Sequence, residues 1–301
     1  MASVTDIAEP DTERESGAIQ ILRSPLLSDF PKLVHGFSTR SGGFSEAYGG
    51  DQLNLGFTAS DEKKFVERNR RAFFRELTGE KSAPPVITLR QIHSGLVHIL
   101  KRTDDLPRHV PKGDGVITSH RNVLLAIQAA DCVPVLVADA KRGAVGAFHA
   151  GWRGTAKRIV ERGVGSMRAV FGCSSKNLYA AIGPCIHACC YAVGDEVIDE
   201  FQSQFVYADE LFSEVYDRDP IKEKYPLLFL TARAPGHSNI GPQTHLDLVE
   251  ANRRQLLDAG ITADHIWAAE ECTSCRTDLL FSHRAEAGYT GRMMGVIGTL
   301  G

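Results

Sequence analysis

Nothing in the charge balance calls for a polyanionic partner: 34 Lys and Arg face 37 Asp and Glu, for a formal net charge of −3. Without a basic excess there is no electrostatic footprint for nucleic acid, although a few local arginines can still hold a small anion. Long apolar runs are missing too, which argues against a transmembrane helix. The glycines form neither a P-loop nor a dinucleotide fingerprint, so ATP and NAD are not indicated. Repeats, low-complexity tracts and an interdomain linker are also absent. There are seven cysteines, an odd number with two adjacent, which makes a poor disulfide framework for 301 residues. A reducing compartment fits better. The polar, acidic start carries no apolar signal segment, so the expected location is cytoplasmic.

What remains is an ordinary globular composition, with 43% hydrophobic residues, enough for a full core. Residues 1–18 read as a disordered leader and 19–301 as one catalytic domain. The Gly-, Ser- and Asn-rich stretch from His35 to Gly56 reads as a connector or binding loop. A helix is expected from Asp61, as N-cap, to Leu77. Short β-rich runs follow at Val86–Leu89, Leu96–Leu100, Gly115–Thr118, Val123–Ile127, Val133–Ala138 and Ala144–Phe148. Helical patterns at about Thr155–Phe171, Asp195–Phe205 and Leu246–Ala259 alternate with strands at Leu178–Ile182, His265–Ala268, Leu279–Ser282 and Met293–Thr299. Many strands neighbour one another with no helix between. The expected class is therefore α/β of the α+β kind, with mixed sheets in layers and flanking helices.

Chemistry concentrates where strands end. His93 lies between two apolar strands, Cys132 in the break of Ala130-Asp131-Cys132-Val133, and His149 where a strand meets a helix. One thiolate and two imidazoles suit zinc with a fourth position open, the pattern of a catalytic site. A buried cysteine beside two satisfied core histidines is the competing reading. A second set, Cys185, Cys189, Cys272 and Cys275, offers four thiolates, but on no obvious knuckle, and buried inert thiols are favoured there. Arg40, in the Gly-rich stretch beside Ser41, and Arg153, at a helix start, are anion-binding candidates. Asp131 is the nearest proton carrier by sequence, or else a carboxylate that orients its surroundings. Tyr191, Trp152 and Phe44 could stack on a base but are more often core. Arg284 and Arg292 read as braces.

Taken together, the motifs resemble the YfiH or laccase-domain family, also called a purine nucleoside phosphorylase family. They run from His35-Gly36-Phe37, Thr39-Arg40-Ser41-Gly42-Gly43 and Leu53-Asn54-Leu55-Gly56 through Gln91-Ile92-His93, Asp114-Gly115-Val116 and Ala130-Asp131-Cys132. They continue with His149-Ala150-Gly151-Trp152-Arg153-Gly154, Gly183-Pro184-Cys185-Ile186, Tyr191-Ala192-Val193-Gly194, Cys272-Thr273, Phe281-Ser282-His283-Arg284 and Gly291-Arg292. The resemblance implies zinc on His93, Cys132 and His149, with substrate or phosphate contacts around Arg40, Ser41, Asn54 and Arg153. It implies phosphorolysis of adenosine, inosine, guanosine and methylthioadenosine, with adenosine deamination as a second activity. Two departures, Ala192 for a common acidic residue and Ala285 for a common second arginine, bear on substrate detail. Two enzymatic rival readings remain, beside a non-enzymatic partner-binding protein of the same fold, which the complete triad speaks against. One is a metal-free cysteine hydrolase with Cys132 as nucleophile and His149 as base. The other is a copper-dependent polyphenol oxidase, which the absence of any His-x-His pair disfavours. No membrane or nucleic-acid partner is expected.

Overall fold

The computed structural model describes residues 17–80, 83–101, 109–215 and 242–301, so the expected leader lies almost wholly outside the described residues. In chain order the strands are β1 (Ile21–Leu22), β2 (Leu33–Ser38), β3 (Ser41–Ser45), β4 (Val86–Thr88), β5 (Val97–Leu100), β6 (Gly115–Thr118) and β7 (Val123–Ala129). They continue with β8 (Val133–Asp139), β9 (Val145–Ala150), β10 (Leu178–Ile182), β11 (Phe212–Val215), β12 (Gln243–Leu246), β13 (Ile266–Ala268) and β14 (Met293–Thr299). The helices are α1 (Pro25–Ser28), α2 (Lys63–Thr78), α3 (Trp152–Ala156), α4 (Ile159–Phe171), α5 (Asp195–Gln204) and α6 (Leu248–Asp258).

Two mixed sheets dominate. One runs β1-β2-β14-β7-β4 and the other β13-β10-β8-β9-β6-β5. In the first, only β4–β7 is parallel; in the second, β13–β10 and β5–β6 are. They stack face to face over Phe37, Leu125, Ile127 and Ile297 from one sheet and Val116, Leu136, Val145 and Ala147 from the other. The outer face of the first sheet buries Leu124, Ala126, Met294 and Val296 under Phe73, Phe74 and Leu77 of α2. The outer face of the second buries Val133, Val135, Val137 and Phe148 under α4, α5 and α6. Strands covered on both faces read as near-continuous apolar runs, and β7, β8 and β9 do so, broken only near their ends by Gln128, Asp139 and His149. The mixed α+β architecture expected from the strand pattern is the one observed.

Four local expectations change. His35–Gly56 is not one loop, because β2 and β3 run through it. Its glycines allow close packing as well as turns: a Cβ on Gly43 would lie 2.1 Å from the Gln52 carbonyl. Asp61 does not cap α2. Its carboxylate accepts from Ser45 Oγ at 2.6 Å and Asn54 Nδ2 at 2.7 Å, and Glu62 takes the cap position. The helix expected from Thr155 is split at Arg158, whose φ of 57° and ψ of 42° are left-handed. Leu279–Ser282 forms turns instead of a strand, although Leu280 and Phe281 are fully buried, so the apolar signal reported burial without extended backbone.

Candidate metal centre and cavity

His93 lies on the connection from β4 to β5, Cys132 on the two-sheet crossing between β7 and β8, and His149 inside β9, one residue before its end. Their ligand atoms all fall within 4.8 Å of one another. His93 Nε2 is 3.9 Å from Cys132 Sγ, and the two imidazole centroids are 5.0 Å apart, edge to face. Gly151 leaves the room: a Cβ there would sit 2.8 Å from Cys132 Sγ and 3.1 Å from His93 Cδ2.

Asp114, at the mouth of β6, organises this cluster. Its buried carboxylate accepts from three successive backbone N–H groups, Ile92 (3.2 Å), His93 (3.0 Å) and Ser94 (2.7 Å), and from Ser94 Oγ (2.7 Å). That nest stabilises the left-handed φ of 56° at His93, a conformation uncommon outside glycine and tolerated where the surroundings over-determine it. The same carboxylate lies 2.9 Å from His149 Nδ1. With Nδ1 so engaged, Nε2 is the nitrogen left to face Cys132. Sequence reading missed Asp114, because a carboxylate inside Lys112-Gly113-Asp114-Gly115 looks like ordinary turn chemistry.

The electrostatics follow from these contacts. Burial opposes ionisation of Cys132, yet the neighbouring His149 and His93 outweigh it and bring the thiol down to about 6. Burial likewise lowers His149, but the Cys132 thiolate and Asp114 push it up to about 9. Burial raises Asp114 less than the hydrogen bonds from His149 and Ser94 lower it, so its carboxyl stays well below the usual range. A deprotonated soft donor, two imidazoles and a carboxylate behind one of them fit a zinc ion.

The cluster opens on a cavity of about 400 Å³ lined by Arg90, Gln91, His93, Cys132, His149, His283 and Arg292 among others. Gln91 fastens this wall, donating from Nε2 to the Gln128 carbonyl and accepting from the Gln128 N–H at Oε1, both at 2.7 Å. Of these residues, Arg90 had no distinguishing sequence signal, His283 stood in the Phe281-Ser282-His283-Arg284 motif without an assigned role, and Arg292 read as a brace. Part of that reading stands, since Arg292 also donates to the Gly291 carbonyl at 2.8 Å.

The other sequence candidates lie elsewhere. Arg40 is only 8% exposed, and all three of its guanidinium nitrogens are engaged. Nε meets Gln52, one Nη meets the Thr277 carbonyl and Glu286, and the other meets the Tyr48 carbonyl. Its position suits a buried tie and not an open phosphate contact. Ser41 starts β3 and bridges to Gln52. Asn54 is fully buried; its Oδ1 accepts from the N–H groups of Gly56 and Arg292, so it braces the cavity wall from behind. Arg153 is half-exposed, stacks 4.1 Å over Trp152 and reaches Glu196 at 3.4 Å. Asp131 spends its carboxylate on Thr273 Oγ1 (2.6 Å), Ser282 Oγ (2.8 Å) and the Arg284 N–H (2.6 Å), while its own φ is 87°. None of these five, nor Phe44, Trp152 or Tyr191, lines the cavity.

The second cysteine set differs from the expected one. Cys189, Cys190, Cys272 and Cys275 bring their thiols together. Cys185 is buried and joins Cys272 only through a backbone bridge.

A layered α/β fold with one open His–Cys–His cluster at the meeting of two sheets therefore defines the class. Residues 34–300 match the family model described as "Multi-copper polyphenol oxidoreductase laccase", and the chain belongs to that family. It is 35% identical over 278 residues to "Purine nucleoside phosphorylase YlmD" of Geobacillus stearothermophilus, covering 89% of this chain and 91% of that one. It is 29% identical to "Adenosine deaminase RL5" from an unknown prokaryotic organism, covering 88% and 94%. The crystal structure of the Bacillus licheniformis hypothetical protein YfiH superposes with a TM-score of 0.76 at 31% identity, over 93% of this chain and 98% of that one. Among the described residues no helix is long and apolar enough to cross a membrane.

Proposed function

We propose that residues 19–301 form one zinc-dependent purine nucleoside phosphorylase domain, acting on adenosine, inosine, guanosine and methylthioadenosine, with adenosine deamination as a second activity. The observation that carries this reading is the convergence of His93, Cys132 and His149 on the floor of a cavity that also presents Arg90, His283 and Arg292. The names of the relatives agree with it.

Bound to the triad, zinc would supply Lewis-acid chemistry. The rest falls to the chain. Cys132, held as thiolate, and the two imidazoles form the donor set. Asp114 fixes the tautomer and direction of His149 and the loop that carries His93. Arg292 and Arg90 offer the positive wall for inorganic phosphate, the role sequence reading gave to Arg40 and Arg153. In phosphorolysis a phosphate oxygen bonds to the anomeric carbon, the glycosidic C–N bond breaks, and the purine leaves with its electron pair and takes up a proton. His283, on the cavity wall, is the group assigned to deliver that proton. In deamination, water adds at C6 of adenosine and ammonia departs. Asp131, with its carboxylate fully engaged, acts as a positioning residue for the Cys132 turn.

The test is release of free purine and ribose 1-phosphate by purified protein with and without inorganic phosphate. Release that depends on phosphate and is lost in Cys132→Ala together with the zinc of the triad is the expected result. Equal release without phosphate, or full turnover in a variant whose triad holds no zinc, overturns it.

One observation favours a second reading. The lowered thiol of Cys132 beside a raised His149 is also the pairing of a cysteine nucleophile and its base. Zinc would protect Cys132 from alkylation in the metal enzyme. In a metal-free hydrolase, alkylation would abolish activity whether or not a chelator is present.

A further inference from the structure

The four thiols of Cys189, Cys190, Cys272 and Cys275 come from two turns far apart in sequence, Cys190 and Cys275 being 85 positions apart. The Sγ–Sγ distances are 3.3 Å for Cys190–Cys275, 3.6 Å for Cys189–Cys275 and 3.7 Å for Cys189–Cys190, and the whole set lies within 4.8 Å. Four sulfurs at about 2.3 Å around a tetrahedral zinc are about 3.8 Å from one another, so the observed spacing needs little adjustment to admit the ion.

Packing does not account for the cluster. Free cysteines are ordinarily among the most buried residues, yet Cys189 and Cys275 are exposed and Cys190 is half-buried. The local backbone also has the form of a metal knuckle. Cys272 Sγ receives the His187 N–H at 3.4 Å and the N–H groups of Ser274 and Cys275, within a Cys-x-x-Cys turn.

We infer that Cys189, Cys190, Cys272 and Cys275 form a second metal site, closed and all-thiolate, that takes zinc or another thiophilic divalent ion. The donor set rejects calcium and magnesium, which need oxygen ligands. With four protein donors no position stays open for substrate, so the site is structural. Its place in the fold says what it holds. The turn around Cys189 follows Ile186, whose N–H donates to the Asp131 carbonyl at 2.9 Å. The turn around Cys272 includes Thr273, whose hydroxyl donates to the Asp131 carboxylate. A metal joining the two turns clamps both sides of the residue that precedes Cys132. The two donor sets share no residue, so this inference stands whether or not the catalytic reading does.

The test uses the full chain, purified under reducing conditions and loaded with zinc. The double variant Cys132→Ala, His149→Ala removes the donors of the first cluster. It is expected to keep one zinc per chain, with an X-ray absorption spectrum showing four sulfur neighbours at about 2.3 Å. Adding Cys275→Ser should remove that zinc, whereas adding Cys185→Ser should not. In the otherwise native chain, Cys275→Ser should lower zinc content by one equivalent, which covers the case of a double variant that does not fold. The inference is overturned if the double variant folds without zinc, if its zinc has nitrogen or oxygen neighbours in place of sulfur, or if Cys275→Ser leaves zinc content unchanged. It is also overturned if peptide mapping after reduction still finds Cys190 linked to Cys275, since that pair is then a stable disulfide.

Discussion

The His93–Cys132–His149 cluster and the Cys189–Cys190–Cys272–Cys275 cluster use overlapping chemistry in different settings. The first has three donors, two from connections and one from the end of β9, a carboxylate behind one imidazole, and a cavity in front. The second has four donors from two surface turns, backbone N–H groups behind one sulfur, and no fourth position to spare. Donor count and surroundings separate a site that can work on a substrate from one that can only hold the chain together. The difference also locates rigidity. Asp114 touches the first cluster directly, at the His93 N–H and at His149 Nδ1, whereas Asp131 reaches the second only through Thr273 of the Cys272 turn.

Cys132→Ala should break the comparison most severely, lowering phosphorolysis by more than about a hundredfold, beyond the range of outer-sphere changes. Zinc at the four-thiolate cluster should persist in that variant, and metal analysis checks this. Asp114→Asn should come next, weakening zinc at the triad by about 10–100-fold in competition with a chelator, because an amide presents N–H where N–H groups already point. Gly151→Ala has a permitted backbone, φ −67°, but its Cβ would crowd Cys132 Sγ. An affinity loss near the low end, about tenfold, is expected, with a stability cost of about 1–3 kcal/mol in chemical denaturation. Arg40→Met should lower stability by about 2 kcal/mol by stranding Glu286 and two carbonyls. The KM for phosphate should stay unchanged; a raised KM would return Arg40 to the site. Cys275→Ser should have the smallest effect on turnover, with a lower thermal midpoint as its main signature.

The two clusters were legible in the sequence to different degrees. Residue chemistry and motif order pointed to His93, Cys132 and His149, since each stood where a strand run stops. Asp114 escaped because its functional hydrogen bonds run to residues about twenty positions upstream, which no local pattern displays. Arg40, an anion candidate by sequence, is tied into buried carbonyls and Arg292, a brace by sequence, also lines the cavity, because an arginine's direction is decided by which acceptors surround it; for Arg40 these include the carbonyls of Tyr48 and Thr277. Cys190 was passed over for Cys185 because spacing alone cannot tell which of two nearby thiols turns outward. The layered fold was easier to read, since β7 to β9 announce burial on both faces by nearly continuous apolar sequence. The errors fell where burial and extension part company, as at Leu279–Ser282, or where a single left-handed residue such as Arg158 divides a helical pattern.

The place of β14 has a consequence for biosynthesis. This strand is made long after β7, yet it lies between β2 and β7 and pairs with both. At about 5–20 residues per second, Cys132 leaves the ribosome roughly 8–33 seconds before Thr299 does. Until then β7 lacks its main partner, and Asp131 lacks Thr273, Ser282 and Arg284. The nascent chain therefore carries Cys132 next to an unfinished sheet edge. A chain cut short of β14 leaves an edge of β7 unpaired, which is an aggregation hazard.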